Sequence, residues 1–279
     1  MYWQYFNLNS NPFGITPDPK FLYLSNPHNS AIEWMRFAIE QHEFGLVVGE
    51  VGSGKTVLSR YLIDNLPEND IKVCWIINPI LTPGQLLKEI HVQLINEKAP
   101  RSKSDLIKAI QEGLVNLFLN NIYPVVVIDE AQAIPGSRIF EELRLLSNYQ
   151  TDEQNLISII LLGQPELANK LKRKNYRAFL QRIRFTINLE PLSREEIKKY
   201  LEHRLMVAGS NEEIFTPEAI DEIHHLTGGY PRPINHLASF SMMDAASNER
   251  YSIDAKTVRS AAKSILYFSD KLEPEEIVT

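Results

Sequence analysis

The chain has 279 residues, of which 44% are hydrophobic and 23% charged, and a formal net charge of −6. That length holds one large domain or two ordinary ones, with the composition of a soluble globular protein. The acidic balance argues against a general nucleic-acid coat protein, and the single cysteine, Cys74, excludes a disulfide framework and a multi-cysteine zinc site.

Residues 1–29 are rich in proline and asparagine with interleaved aromatics, as in Asn11-Pro12-Phe13 and Thr16-Pro17-Asp18-Pro19. This reads as an ordered strap, since a floppy tail carries fewer aromatics. The start, Met1-Tyr2-Trp3-Gln4-Tyr5-Phe6, has no basic n-region and no long apolar stretch, so no secretory signal is read. Apolar runs such as Ile159-Ile160-Leu161-Leu162 are too short to span a bilayer. The expected location is the cytoplasm, with any membrane contact made through a partner.

From Ser30 the pattern alternates helix and strand. Ile32 to Ile39 has helical spacing, Phe44 to Val48 reads as a strand, and Val57 to Leu66 reads as helix. Val73 to Ile77 is a second strand. Thr82-Pro83-Gly84-Gln85 then supplies an N-cap, a proline at the first helical position and a capping-box partner. A further helix is expected over 104–119. Val125 to Ile128, Ile157 to Leu162 and Phe185 to Leu189 complete five strands, and continuous apolar strands separated by helices imply a parallel sheet covered on both faces. After Pro191 the strands stop. Ser193-Arg194-Glu195-Glu196 opens one helix and Thr216-Pro217-Glu218 another that Gly228-Gly229 ends; Ile234 to Ala246 and Ala255 to Tyr267 follow. The expected organisation is a strap over 1–29, an α/β core over 30–190, a helical domain over 191–268 and a loose acidic tail over 269–279.

The first strand runs into Gly49-Glu50-Val51-Gly52-Ser53-Gly54-Lys55-Thr56, which fits G-x-x-x-x-G-K-[ST] at every specified position. Glycines let backbone N–H groups turn inward around phosphate oxygens. Lys55 adds a point charge at the β/γ-phosphates, Thr56 offers a hydroxyl to Mg²⁺, and the helix start presents unpaired N–H groups to the anion. Some 70 residues on, Val125-Val126-Val127-Ile128 ends in Asp129-Glu130. The carboxyl edge of a parallel sheet is where ligands bind. Asp129 is therefore read as holding Mg²⁺ through water, and Glu130 as orienting the attacking water.

Gln164 ends the next strand, either as a contact to the γ-phosphate or attacking water, or as a loop residue before Pro165. The stretch 170–184 carries Lys170, Lys172, Arg173, Lys174, Arg177, Arg182 and Arg184 with no acidic residue. It is a solvated basic face, a contact for nucleic-acid phosphates, or the source of an arginine finger to a neighbouring subunit. For the finger Arg182 is favoured, with Arg177 and Arg184 as rivals. Arg232, after Gly228-Gly229-Tyr230-Pro231, is either a reach back to the phosphates or a surface arginine.

Taken together, these motifs resemble an AAA+ ATPase. Asn11-Pro12-Phe13, Phe21-Leu22-Tyr23, Asp129-Glu130-Ala131-Gln132, Gly163-Gln164-Pro165-Glu166-Leu167 and Pro191-Leu192-Ser193-Arg194-Glu195-Glu196 are similar to the ExeA/GspA group, with a relation to TnsC/TniB-type transposition ATPases. The resemblance covers roughly residues 3–265 and implies a P-loop NTPase fold: a five-stranded parallel sheet followed by a small all-helical lid. It also implies ATP with Mg²⁺ between the subunits of a ring or filament. In the same terms Gln164 is the first sensor, Arg232 the second, and the strap at Pro12 and Phe13 packs by the adenine. Secretion-pathway members continue into a transmembrane segment and a periplasmic peptidoglycan-binding region, whereas this sequence stops at Thr279. Two expectations follow: a secretion or envelope-assembly ATPase working with a protein partner, or a DNA-binding regulator of transposition.

Overall fold

The computed structural model describes residues 1–14, 18–67, 70–95, 98–152 and 154–269. Thr16 and Pro17 of the strap, and the acidic tail from residue 270 onward, lie outside the described residues. The chain forms two compact units: one of residues 26–51 and 58–189, the other of residues 1–25, 52–57 and 190–279.

The first unit is built on five parallel strands: β1 (Phe44–Val48), β2 (Ile71–Ile76), β3 (Tyr123–Ile128), β4 (Ser158–Gly163) and β5 (Ile183–Asn188), in the order β2-β3-β4-β1-β5. The inner strands β1 and β4 are buried along their whole length, which is why they read as unbroken apolar runs. Each fully buried aliphatic side chain there contributes about 1.5–3 kcal/mol. The outer strands extend earlier than the hydrophobic runs suggest, because Ile71 pairs with Tyr123 and Ile183 with Phe44. At the β2 edge, Gln93 on the helix Pro83–Ile95 takes the place of a sixth strand. Its Oε1 accepts from the Trp75 N–H at 2.8 Å and its Nε2 donates to the Trp75 carbonyl at 3.3 Å. The same helix starts with the expected capping box between Thr82 and Gln85. The helix Ser137–Leu146 is not among the elements predicted from the sequence, although Ile139, Phe140, Leu143 and Leu146 line its buried face.

The second unit is helical: Arg194–Val207, Pro217–Thr227, Pro231–Ser247 and Ala255–Lys263, then a short turn Leu266–Ser269. The last helix expected over 255–267 therefore breaks after Lys263. Ser193 and Glu196 form a reciprocal capping box, and the Thr216 hydroxyl accepts from the Ala219 N–H at 3.2 Å. Gly228 closes its helix in the left-handed region at φ 62°. Gly229 follows at φ 83°, with the Leu192 carbonyl only 2.2 Å from where a Cβ would sit. Glycine is thus required for this turn to lie against the Leu192 backbone.

The strap folds with this unit. It is less irregular than its composition suggests, with a helical turn Tyr2–Tyr5 and a 3₁₀ turn Pro19–Phe21. Phe6 and Phe13 are buried in the helical core. Arg204, 8% exposed, donates through Nε to the Pro12 carbonyl and through Nη1 to the Tyr200 hydroxyl at 2.9 Å. Its guanidinium lies 5.0 Å from the Phe21 ring centroid. A cation over an aromatic face keeps an attraction that burial from water would otherwise remove.

Candidate functional site

In the α/β unit, β3, β4 and β1 are adjacent, so their carboxyl ends share one edge. Gly49 continues β1 by donating to the Gly163 carbonyl at 3.1 Å. Asp129 is 2% exposed at the end of β3, its N–H bonded to the Ile76 carbonyl. Its Oδ1 accepts from the Glu130 N–H at 2.8 Å. Glu130 is exposed and sits at φ 49°, ψ 36°. That left-handed conformation is uncommon for a residue with a side chain and collects at functional sites.

Side chains separated by more than thirty residues meet around this carboxylate. Gln164 Nε2 lies 3.4 Å from Glu130 Oε2, and Gln132 Nε2 donates to the same oxygen. Gln132 Oε1 in turn accepts from the Gln164 N–H at 3.1 Å. Gly163 makes room for this amide: a Cβ there would be 3.2 Å from Gln132 Oε1 and 2.5 Å from Leu167 Cδ2. Lys170 closes the turn from below, donating to the carbonyls of Gln132 and Ile134. Burial, and then the charge of Arg173, lowers the Lys170 pKa. Lys170 therefore belongs to the architecture of this edge and leaves the basic face with which its sequence neighbours group it. In the sequence, Gln132 stands out only as the last residue of Asp129-Glu130-Ala131-Gln132. Its place two residues after Glu130, at a strand end, was the signal available.

In the helical unit, Gly52 and Gly54 take φ 83° and 98°, as a loop turning its N–H groups inward requires. Lys55, 6% exposed, opens the helix Lys55–Asp64. Arg232 meets the loop through its backbone: its N–H donates to the Gly52 carbonyl at 3.2 Å. A Cβ on Gly52 would lie 2.7 Å from Arg232 Cβ. Pro231 and Pro233 have no N–H, so Arg232 supplies the one donor among the first three residues of that helix, and it is spent on the loop. The Arg232 side chain is exposed. Phe13 is 1% exposed and packed edge-on against Phe215 at 6.0 Å, so its ring has no open face for a base.

Arg182 and Arg184 flank the start of β5, whose Ile183 pairs with Phe44 at the start of β1. A five-residue strand is about 17 Å long, so these arginines stand at the opposite edge of the sheet from Glu130 and Gln164. Arg182 donates to Asn148 Oδ1 at 3.1 Å. Arg184 is exposed where the β1–β5 register shifts between Phe44 and Gly45, a bulge of the kind that re-aims a side chain. Lys172, Arg173, Lys174 and Arg177 are exposed too, and none of these five forms an ion pair among the described residues.

This geometry has known counterparts. Residues 38–171 match the family described as AAA domain. The chain is 37% identical over 275 residues to general secretion pathway protein A of Aeromonas hydrophila, a match covering 97% of this chain and 50% of that protein. The chain thus spans about half the length of the curated relative it matches. Among solved structures it is similar to Cdc6p of Pyrobaculum aerophilum, at TM-score 0.65 and 18% identity over 90% of this chain and 72% of that one. It also resembles the Thermotoga maritima RuvB Holliday junction branch migration motor, at TM-score 0.56 and 16% identity over 88% and 72% of the two chains. The fold is that of the P-loop AAA+ proteins, with the five-stranded parallel sheet and helical unit described above.

Taken one unit at a time, the donor groups fit parts of a nucleotide by their chemistry. Two left-handed glycines, a buried lysine and a threonine at a helix start suit phosphate and Mg²⁺. A buried carboxylate at a strand end suits a cation that keeps most of its water. Cys74 takes no part: it is buried in β2, and burial pushes its thiol up to about 12. No helix among the described residues is long and apolar enough to cross a membrane.

Proposed function

We propose that the chain binds ATP with Mg²⁺ and hydrolyses it as an oligomer with nucleotide at subunit interfaces, acting as a motor or switch of the secretion or envelope-assembly type. The observation that carries this reading is the Glu130 carboxylate, bonded to Gln164 across β3 and β4, one residue beyond the buried Asp129. A group that orients water and a group that senses phosphate are what phosphoryl transfer asks of a protein, since its chemistry needs positioning more than covalent help.

In this reading the backbone of Gly49, Glu50, Val51, Gly52, Ser53 and Gly54 cradles the phosphates and Lys55 compensates their charge. Thr56 and Asp129 hold Mg²⁺, Asp129 through water. Bound Mg²⁺ supplies the Lewis acid that draws charge from the phosphate oxygens. Glu130 orients the attacking water and takes its proton, Gln164 is the first sensor and Arg232 the second. Arg182, with Arg177 and Arg184 as rivals, reaches a neighbouring subunit's nucleotide, which its position at the far edge of the sheet permits. The strap around Pro12 and Phe13 lies by the adenine. The secretion role rests on the similarity to general secretion pathway protein A, and work in the cytoplasm with a membrane partner goes with it. Purified protein should hydrolyse ATP in Mg²⁺, and Lys55→Ala should bring that rate to background. Unchanged turnover in Lys55→Ala would remove the phosphate-loop role.

A second reading has its own observation. Lys172, Arg173, Lys174, Arg177 and Arg184 are exposed cations with no carboxylate partner among the described residues. Such a face suits DNA phosphates, as in an ATP-dependent regulator of transposition or another mobile element. ATPase rate and sedimentation, measured with and without double-stranded DNA at two salt concentrations, decide between the readings. DNA binding that weakens steeply with salt supports this second reading; none at low salt ends it.

A further inference from the structure

We propose that Gln132 is the positioning residue for Glu130, and that it assigns the two carboxylate oxygens different tasks. The inference rests on Glu130 being the group that orients the attacking water.

The orientation of the Gln132 amide is fixed by its partners. The Gln164 backbone N–H can only donate, so the atom it meets at 3.1 Å must be the amide oxygen. The amide nitrogen then faces Glu130. Both glutamine nitrogens, from Gln132 and Gln164, bond the same carboxylate oxygen, Oε2. Oε1 makes no hydrogen bond among the described residues and is left to accept from water. One oxygen is an anchor and the other a working lone pair.

The anchor is itself held. The Gln132 carbonyl takes a hydrogen bond from the Lys170 ammonium at 3.3 Å, and the Ile134 carbonyl takes another. The Lys170 charge lies 5.7 Å from the Phe140 ring centroid, so the lysine is fixed against the helix Ser137–Leu146. With the backbone of the turn pinned, Gln132 cannot swing without breaking its bond to the end of β4. Gln164 is the weaker of the two ties to Glu130, at 3.4 Å. When Gln164 turns to a phosphate oxygen, Gln132 alone keeps the carboxylate aimed. Gln132 thus couples the end of β4, where phosphate is sensed, to the end of β3, where water is activated.

Two substitutions of equal length test this. Gln132→Met removes both bonds, and kcat should fall by about 10- to 100-fold, the scale of a misplaced catalytic group, with KM for ATP little changed. Gln132→Glu keeps an acceptor for the Gln164 N–H but sets a second carboxylate beside Glu130. It should lose kcat as well, because a carboxylate cannot donate to Glu130 Oε2, and KM for ATP should again be little changed. A purely structural role lowers stability and the fraction of folded protein, and leaves the kcat of the folded fraction in place. Wild-type kcat in either variant, or a loss of kcat that only tracks the loss of folded protein, overturns the proposal. If Gln132→Met fails to fold, the kcat of Gln132→Glu decides alone. Glu130→Gln, run alongside, separates the two layers. Full turnover in it removes the reading of Glu130 and with it this inference; loss of turnover beside a normal Gln132→Met removes the role of Gln132 alone.

Discussion

The two ends of the one parallel sheet are built in opposite ways. At the carboxyl edge, Glu130, Gln132, Gln164 and Lys170 are bonded to one another or to the same turn, and Asp129 is buried beneath them. At the amino edge of β5, the Arg182 side chain makes one exposed hydrogen bond among the described residues and Arg184 stands in a bulge. Pre-organised groups act without reorganising when charge develops. Exposed arginines on long side chains have to be ordered by whatever they meet. The difference separates side chains already held by their own chain from side chains left to be ordered, and it sets two kinds of experiment.

The largest effect is expected at the carboxyl edge. Glu130→Gln keeps the size and most of the hydrogen bonding of the side chain but cannot accept a proton. Turnover should fall by about 10²- to 10⁴-fold, the usual contribution of a general base, while nucleotide affinity stays near wild type. The loss should be the same at every protein concentration, because the missing group serves its own nucleotide. Nucleotide binding by fluorescence and turnover by phosphate release measure the two halves. A loss of binding equal to the loss of rate would show that Glu130 holds nucleotide and does not orient water.

Arg182→Ala should show the opposite signature. Its turnover should lose about 10³-fold or more if the arginine acts as a finger, and the loss should appear only at concentrations where wild-type protein assembles. Mixing is the sharper test. Lys55→Ala subunits keep Arg182, and Arg182→Ala subunits keep a working phosphate loop, so the mixture should recover activity that neither has alone. No recovery, with the same experiment succeeding for Arg177→Ala or Arg184→Ala, moves the finger to that residue. Arg182→Ala with wild-type cooperative turnover would erase the functional half of the contrast between the two ends.

Much of this architecture is legible in the sequence because its causes are local. Val125 to Ile128 is buried on both faces of the sheet, so it reads as an unbroken β-branched run, and Ser193 and Glu196 signal their helix through bonds three residues apart. The phosphate loop is legible for the same reason, its glycines being required by backbone angles at Gly52 and Gly54. What stays hidden depends on residues far apart in the chain. Gln132 meets Gln164 across 32 positions and Lys170 across 38. Composition put Lys170 with its basic neighbours, and no periodicity distinguishes the one lysine turned toward carbonyls from those facing water. Arg204 is another such case, because its partner is the Pro12 carbonyl 192 positions away. The β5 bulge at Arg184 is a matter of register, which a single strand's sequence does not contain.

The smallest predicted effect serves as the control for both ends. Asp254 caps the helix Ala255–Lys263, accepting from the Thr257 N–H and hydroxyl at 2.8 Å each. Those bonds, backbone first, hold its carboxyl below the ordinary value of 3.8. A carboxylate with a depressed folded-state pKa stabilises the fold above its unfolded value, and that stability is lost as pH falls through the folded value. The contribution should therefore be complete at neutral pH and disappear below about pH 3.8. Asp254→Ala should cost about 1 kcal/mol, typical for loss of an N-cap, and its melting temperature should approach that of wild type in acid. Because Asp254 lies in the helical unit and, among the described residues, bonds neither the phosphate loop nor any residue at the two edges, its ATPase rate below the melting range should match wild type, alone and in mixtures. If this loss of stability also lowers turnover at 25 °C, rate losses at Glu130 and Arg182 have to be corrected for folding before they count as chemistry. If it does not, each of those losses can be assigned to its own end of the sheet.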